Sequence, residues 1–481
     1  MRNILSKSLQ RRLSLIDYLF VYRSNSLKRI ENELGYNTVT LLKDISDINE
    51  MISPCKITKA PNNEYMIFFP NDTNIEYIYS CFLKNSPEFS LLHKLITGSF
   101  DSLESLSTEL FISESTLRRL IRRINSHLQP DYHFEISTSP VKFVGDESSI
   151  ITFTTYFLKE YYLTSEQMLL KDQLDILSEL FKIFSLSSHP VPLNLLDADK
   201  FNFYVYSTLL RSKQIHRFES SDQELLFFKE FLPLKIPFKR AFNVDLTYDL
   251  IFRIELLINN DNYMLTYNEL IAATHYDKNK SMIVKQLNEL IDYLCDTLGI
   301  QCTNYDNLLL TLYNFTTLTY GMEFVLFSRY KFFLNAMTDY YPSFFNSIKN
   351  KVNELLSYTH LEKAHEFVYY LLLNWIELQK ALYKFNPKMN VGIYFYTDID
   401  HNYWMKQFLK EHFSEKLSIT VLYEKQSSII RQNFKTYDLI LTNQPLLAKK
   451  YSNVLCCSVF PTEEQLAKIK NFYTSWIQNH I

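Results

Sequence analysis

Four arginines offer the clearest chemistry in the sequence. Arg118, Arg119, Arg122 and Arg123 recur at i, i+1, i+4 and i+5, so a helix would carry them along one side. A guanidinium is planar, permanently charged and forked, which suits it to phosphate oxygens and to the acceptor edge of guanine. Ser115 and Thr116, just upstream, add hydroxyls able to contact the same partner. A solvated helix face is the alternative reading of such a run, and the elements that position it decide between the two.

Residues 102–124 supply those elements. Leu103, Leu106 and Leu110 mark one amphipathic helix, and Leu117, Leu120, Ile121 and Ile124 mark a second after a short break, which is the pattern of a helix-turn-helix. Ser113 is placed to cap the second helix, its hydroxyl accepting from a free first-turn N–H. Phe111 stands in the turn, where many such units have glycine. Two strand-like pieces, residues 132–136 and 141–144, flank a turn at 137–140 and predict a wing. A wing beside a recognition helix adds a backbone or minor-groove contact to a major-groove reader.

Residues 9–69 repeat the arrangement. Leu13, Ile16, Leu19 and Phe20 line a first helix, residues 26–34 form a second, Gly35 turns the chain, and a third runs from about Asn37 with Leu41, Ile45 and Ile48 inward. A hairpin follows, with residues 56–59 and 65–68 around a turn at 60–63. The third helix is expected to expose Thr38, Lys43, Asp44 and Asp47, and its two carboxylates would repel phosphate. This copy is therefore expected to be the weaker reader, fixing register through Arg11, Arg12, Lys28, Arg29 and Lys59; a packing or dimerisation role is the alternative.

Composition bounds the rest. The chain has 481 residues, which at roughly 150 per domain implies three or more domains. Apolar residues make up 47% and charged residues 21%, an ordinary globular balance. Only 6 glycines stand beside 34 tyrosines and 37 phenylalanines, which favours long helices and disfavours glycine-rich phosphate loops. Net charge is −3, and residues 1–150 hold 17 Lys and Arg against 18 Asp and Glu, so attraction to DNA must come from how charges are arranged. The 6 cysteines show no metal spacing and read as reduced thiols of a cytoplasmic protein, with no metal or other cofactor expected. No apolar run approaches the length of a membrane span, and no signal peptide is visible.

Residues 150–390 read as helical almost throughout, enough for two bundles, with the best boundary near residues 275–281. From residue 391 strands and helices alternate, as in a small α/β domain with a mainly parallel sheet. The predicted fold class is mainly α and multidomain: two winged helix-turn-helix units, two helical bundles and a terminal α/β domain.

This order of parts, with residues 106–128, the wing and the Gly-Asp-Glu turn at 145–147 as its most specific segment, resembles the Mga/AtxA family of transcriptional regulators of Gram-positive bacteria. The resemblance covers essentially the whole chain. It implies winged units at residues 1–75 and 76–150, bundles like phosphotransferase-system regulation domains at 151–278 and 279–388, and an enzyme IIB-like domain at 389–481. It further implies a homodimeric DNA-binding activator, with double-stranded DNA as partner and a phosphotransferase-system phosphocarrier as donor to histidine. Asn314 and Asn374 stand where the phosphoacceptor histidines are expected, which leaves His216 and His365 as candidates, each with a roleless histidine as the alternative. The loop after the first α/β strand, residues 396–402, lacks the phosphocysteine of enzyme IIB components. That domain therefore reads as an interaction module without transfer chemistry.

Two other classes compete with a non-enzymatic regulator. A phosphoryl-transfer or interaction protein of the sugar phosphotransferase system, without direct DNA binding, would need a labile phosphohistidine or phosphocysteine; a scaffold would bind no duplex even at low salt. Neither a nucleotide fingerprint nor a Ser/His/Asp motif supports a hydrolase or oxidoreductase.

Overall fold

The computed structural model describes residues 1–61, 63–186, 198–212, 229–258, 264–317, 324–356, 361–385, 387–413, 416–422 and 434–479. Its contacts group into two compact units, Met1–Leu265 with Thr317–Ser328, and Thr266–Thr316 with Arg329–Ile481. Helices dominate both, and the described strands form three small sheets. No described helix is long and apolar enough to cross a membrane.

The first unit opens with α1 (Lys7–Tyr22), β1 (Ser24–Ser26), α2 (Leu27–Leu34), α3 (Thr38–Met51), β2 (Lys56–Lys59) and β3 (Glu64–Phe68). Each helix begins on a side-chain cap: Ser6 accepts from Leu9 N, Ser26 from Arg29 N and Asn37 from Thr40 N. Gly35 ends α2 at φ 72°, a left-handed position. The strands make an antiparallel sheet in the order β1-β3-β2, so the hairpin gains a third strand that the sequence did not announce.

A second, larger copy follows: α4 (Ile75–Lys84), α5 (Pro87–Thr97), α6 (Leu103–Glu109), α7 (Glu114–Tyr132), β4 (Phe134–Thr138) and β5 (Val141–Gly145). Tyr132, expected in the wing strand, is instead the last residue of α7, because its ring is buried edge-on against Phe153 and Phe134. The two strands pair antiparallel from Phe134 with Gly145 to Thr138 with Val141, and Phe100 adds an isolated bridge to Val141. Then α8 (Glu147–Tyr162), α9 (Lys171–Leu186), α10 (Ala198–Ser212), α11 (Lys235–Phe242) and α12 (Tyr248–Ile258) pack around Leu177, Leu180, Phe201, Val205, Phe238 and Ile251. Such a cluster of fully buried aliphatic and aromatic side chains is the main favourable contribution to this helical part.

The second unit contains α13 (Tyr267–Thr274), α14 (Lys278–Leu298), α15 (Tyr305–Thr317), α16 (Arg329–Tyr340), α17 (Pro342–Leu356), α18 (Leu361–Asn374) and α19 (Ile376–Phe385). Its α/β part runs β6 (Met389–Tyr394), α20 (Ile399–Phe413), β7 (Leu417–Val421), β8 (Leu439–Thr442), α21 (Pro445–Lys450), β9 (Val454–Cys456) and α22 (Glu463–Asn479). The four strands are parallel in the order β7-β6-β8-β9, with Val391, Ile393, Leu439 and Leu441 buried at the centre. Both faces are covered, as parallel sheets require.

Candidate nucleic-acid interface

The site is built from α6, the turn after it, α7 and the β4-β5 wing. Ser102 and Ser105 cap α6 reciprocally, and Leu103 and Leu106 bury its inner side. The turn closes through Ile112 N donating to Ser107 O at 3.1 Å. Phe111 sits in it at φ 55° with 95% of its surface exposed. A left-handed backbone costs a residue bearing Cβ about 1 kcal/mol. Phe111→Gly is accordingly expected to raise stability by about 0.5–1 kcal/mol, read as an upward shift in thermal unfolding.

Ser113 caps α7, its Oγ accepting from Thr116 N at 3.2 Å, and Ser115 Oγ and Thr116 Oγ1 lie 3.0 and 2.9 Å from that same oxygen. Leu117, Leu120, Ile121, Ile124 and Leu128 form the buried stripe, which turns Arg118, Arg119, Arg122 and Arg123 outward. They are not equivalent. Arg123 is held by an ion pair with buried Glu88 on α5, and Arg118 approaches Glu114 at 3.5 Å. Arg119 and Arg122 are exposed and have no partner among the described residues. The free cationic face therefore centres on Arg119 and Arg122, with Arg118 beside it and Arg123 withdrawn at its edge.

Sequence reasoning missed the brace that fixes this helix to its wing. Asn125 donates to Ile136 O and accepts from Ile136 N, both at 2.9 Å, so one amide satisfies both backbone groups of a β4 residue. The first copy has the same device: Asn49 donates to Ile57 O at 3.0 Å and accepts from Ile57 N at 2.6 Å. An asparagine at the twelfth position of both α3 and α7 was the available signal, but its partner lies across a turn whose register the sequence leaves open.

The N-terminal copy departs from expectation in its charges. Asp44 is 1% exposed and receives Arg11 and Arg12, and Arg12 also pairs with Asp47. Arg11 Nη2 meets Asp44 Oδ1 at 2.9 Å, and this bond raises its guanidinium pKa above the ordinary value. Arg11 and Arg12 are thus committed inside the protein and not to a phosphate backbone, while Asp44 does not present its charge to solvent. Thr38 is likewise engaged, its hydroxyl donating to Glu31 at 2.8 Å. What α3 exposes is Val39, Leu42, Lys43, Ser46 and Glu50, with Lys59 exposed at the end of β2.

His365 is 7% exposed within α18, and His216 lies outside the described residues. The β6-α20 loop is stapled by buried Asn402, which accepts from Phe395 N at 3.0 Å and donates to Asp398 O at 3.2 Å. Cys457, just past β9, is buried, and desolvation pushes its thiol up to about 12, the opposite of a nucleophile's requirement.

The Mga helix-turn-helix domain family matches residues 71–158, a span that holds α4 through the wing and most of α8. A Streptococcus pneumoniae protein described as a trans-acting regulator is 24% identical over 459 residues, covering 92% of this chain and 93% of its own. The anthrax toxin expression trans-acting positive regulator of Bacillus anthracis is 22% identical over 420 residues, covering 83% and 84%. A capped and winged helix-turn-helix in the matched segment, with relatives that align along most of the length, supports a transcriptional regulator of the Mga/AtxA type.

Proposed function

We propose that the protein is a cytoplasmic, dimeric activator that reads duplex promoter DNA with α7 in the major groove. Arg119 and Arg122 neutralise phosphates or engage base edges, Arg118 assists, and Ser115 and Thr116 contact the backbone from the first turn. The β4-β5 wing, together with Lys43 and Lys59 of the first copy, fixes register. The carrying observation is the pair of unpartnered arginines on a capped helix whose other side is buried in its own domain. With so few free base-reading groups, part of the selectivity comes from DNA bend and groove width.

The helical parts on either side of residue 278 act as phosphotransferase-system regulation domains in this reading, and residues 389–481 as an enzyme IIB-like interaction module. A phosphocarrier is the donor, with His216 the better acceptor, since burial denies His365 the access that phosphoryl transfer needs. Loss of thiol chemistry in the α/β part agrees with buried Cys457.

The test is duplex binding over a range of salt. Each phosphate that a side chain ceases to neutralise makes the slope of log K against log salt shallower by about 0.9. Arg119→Ala with Arg122→Ala is therefore expected to flatten it by about 2 and weaken binding about ten- to thirtyfold. An unchanged slope with unchanged affinity removes α7 from the interface.

A further inference from the structure

A short segment of the first unit, Phe324 to Ser328, lies against the helices that carry the reader. Three successive backbone N–H groups point at one carboxylate: Val325 N and Leu326 N donate to Glu160 at 2.5 and 2.8 Å, and Phe327 N at 3.2 Å. Glu160 is near the end of α8. Phe324 O accepts from the hydroxyl of Tyr132, the last residue of α7, at 3.3 Å. The Phe327 ring packs on Tyr79 of α4 with centroids 4.9 Å apart, and Tyr79 accepts from Arg2 at 2.7 Å and donates to Asp17 of α1. Val325, Leu326 and Ser328 are buried.

One segment thus touches the C-terminal end of the recognition helix, the helix after the wing, and a tyrosine bonded to the N-terminal copy. A carboxylate that accepts several backbone N–H groups is a strong and directional anchor. We infer that Phe324 to Ser328 is a strap latched by Glu160, and that Glu160 is a positioning residue which sets α7 and the N-terminal copy in the arrangement that binds DNA. The inference rests on the DNA-reading assignment of α7. The latch sets geometry without touching DNA, so opening it should weaken binding while the same phosphates are still neutralised in the complex.

Burial drives the Glu160 carboxyl up, to about 7, against the pull of the three N–H groups. Replacing it by a neutral amide therefore relieves a desolvation cost while placing a donor against N–H donors, so Glu160→Gln should fold with its latch weakened. In the full-length protein, hydrogen exchange at the amides of residues 325–327 is expected to accelerate at least tenfold, with duplex affinity about fivefold lower, salt slope unchanged and global unfolding little altered. Phe327→Ala, which removes the packing on Tyr79 and leaves Glu160 intact, should lower affinity in the same way if the first variant folds poorly. Faster exchange with unaltered affinity would reduce the strap to packing, and unaltered exchange would remove Glu160 as its latch. A wild-type protein that binds no duplex would instead overturn the DNA reading, with the exchange arm still deciding the latch.

Discussion

Glu147→Ala is expected to destabilise the first unit by about 3 kcal/mol or more, although Glu147 is the more exposed partner of its pair. Arg211 on α10 is 6% exposed and grips Glu147 through two bonds, Nε to Oε2 at 2.8 Å and Nη2 to Oε1 at 2.6 Å, while Nη2 also donates to Phe143 O at 3.1 Å. Removing the carboxylate takes two charge-assisted bonds from a buried guanidinium, the costly way to break such a pair. It also removes an acid from the first turn of α8, where the helix N-terminus favours negative charge. Arg211→Met should cost less, about 1–2 kcal/mol, because a half-exposed Glu147 can rehydrate and an apolar side chain can fill the space. The order of the two variants is the content of the prediction. Trp375, Trp404 and Trp476 all lie in the second unit, so tryptophan fluorescence does not report this change. Hydrogen exchange at the β5 amides of the full-length protein does, and equal effects from the two variants would remove the buried-charge argument.

That pair also shows where sequence reading stops. The arginine row, the Ser113 cap and the buried stripe of α7 were legible because each depends on residues within two helical turns, where a period of 3.6 dictates which side chains share a face. The order of helices, wing and parallel sheet was legible for similar reasons. Periodicity names a face but not the charge opposite it. Asp44 was expected in solvent, yet Arg11 and Arg12, more than thirty positions away, meet it in the folded unit. Arg123 looked equal to its neighbours until Glu88 took it. Asn125 and Asn49, Arg211, and Glu160 with its strap all act through partners brought close by tertiary packing, and none forms a local pattern. His365 fell on the inward side of α18, which an isolated histidine in a mostly apolar helix does not reveal.

Gly145→Ala is expected to cost about 2–4 kcal/mol and to disturb the wing specifically. Gly145 has φ 147°, outside the comfortable range of an L side chain, and a Cβ there would lie 2.5 Å from Phe134 Cα and 2.6 Å from His133 O. Those are backbone atoms, so no rotamer change relieves the clash; β4 and β5 must separate where Phe134 pairs with Gly145. The shift would pass on, because Asp146 N donates to His133 O at 3.1 Å and the Asp146 carboxylate caps α8 through Ser149 N at 2.7 Å. Gly35→Ala is the control: its φ is 72°, but nothing lies within 4 Å of the added carbon, so only the backbone preference of about 1 kcal/mol is lost. Thermal unfolding separates the two, and the binding assay adds a second reading. If the wing contacts DNA, Gly145→Ala should lose affinity beyond what its lowered stability explains, while Gly35→Ala should not. Two alanine variants of similar mildness would mean that the β4-β5 closure tolerates movement, and that the wing is not held firmly enough to set the register of α7.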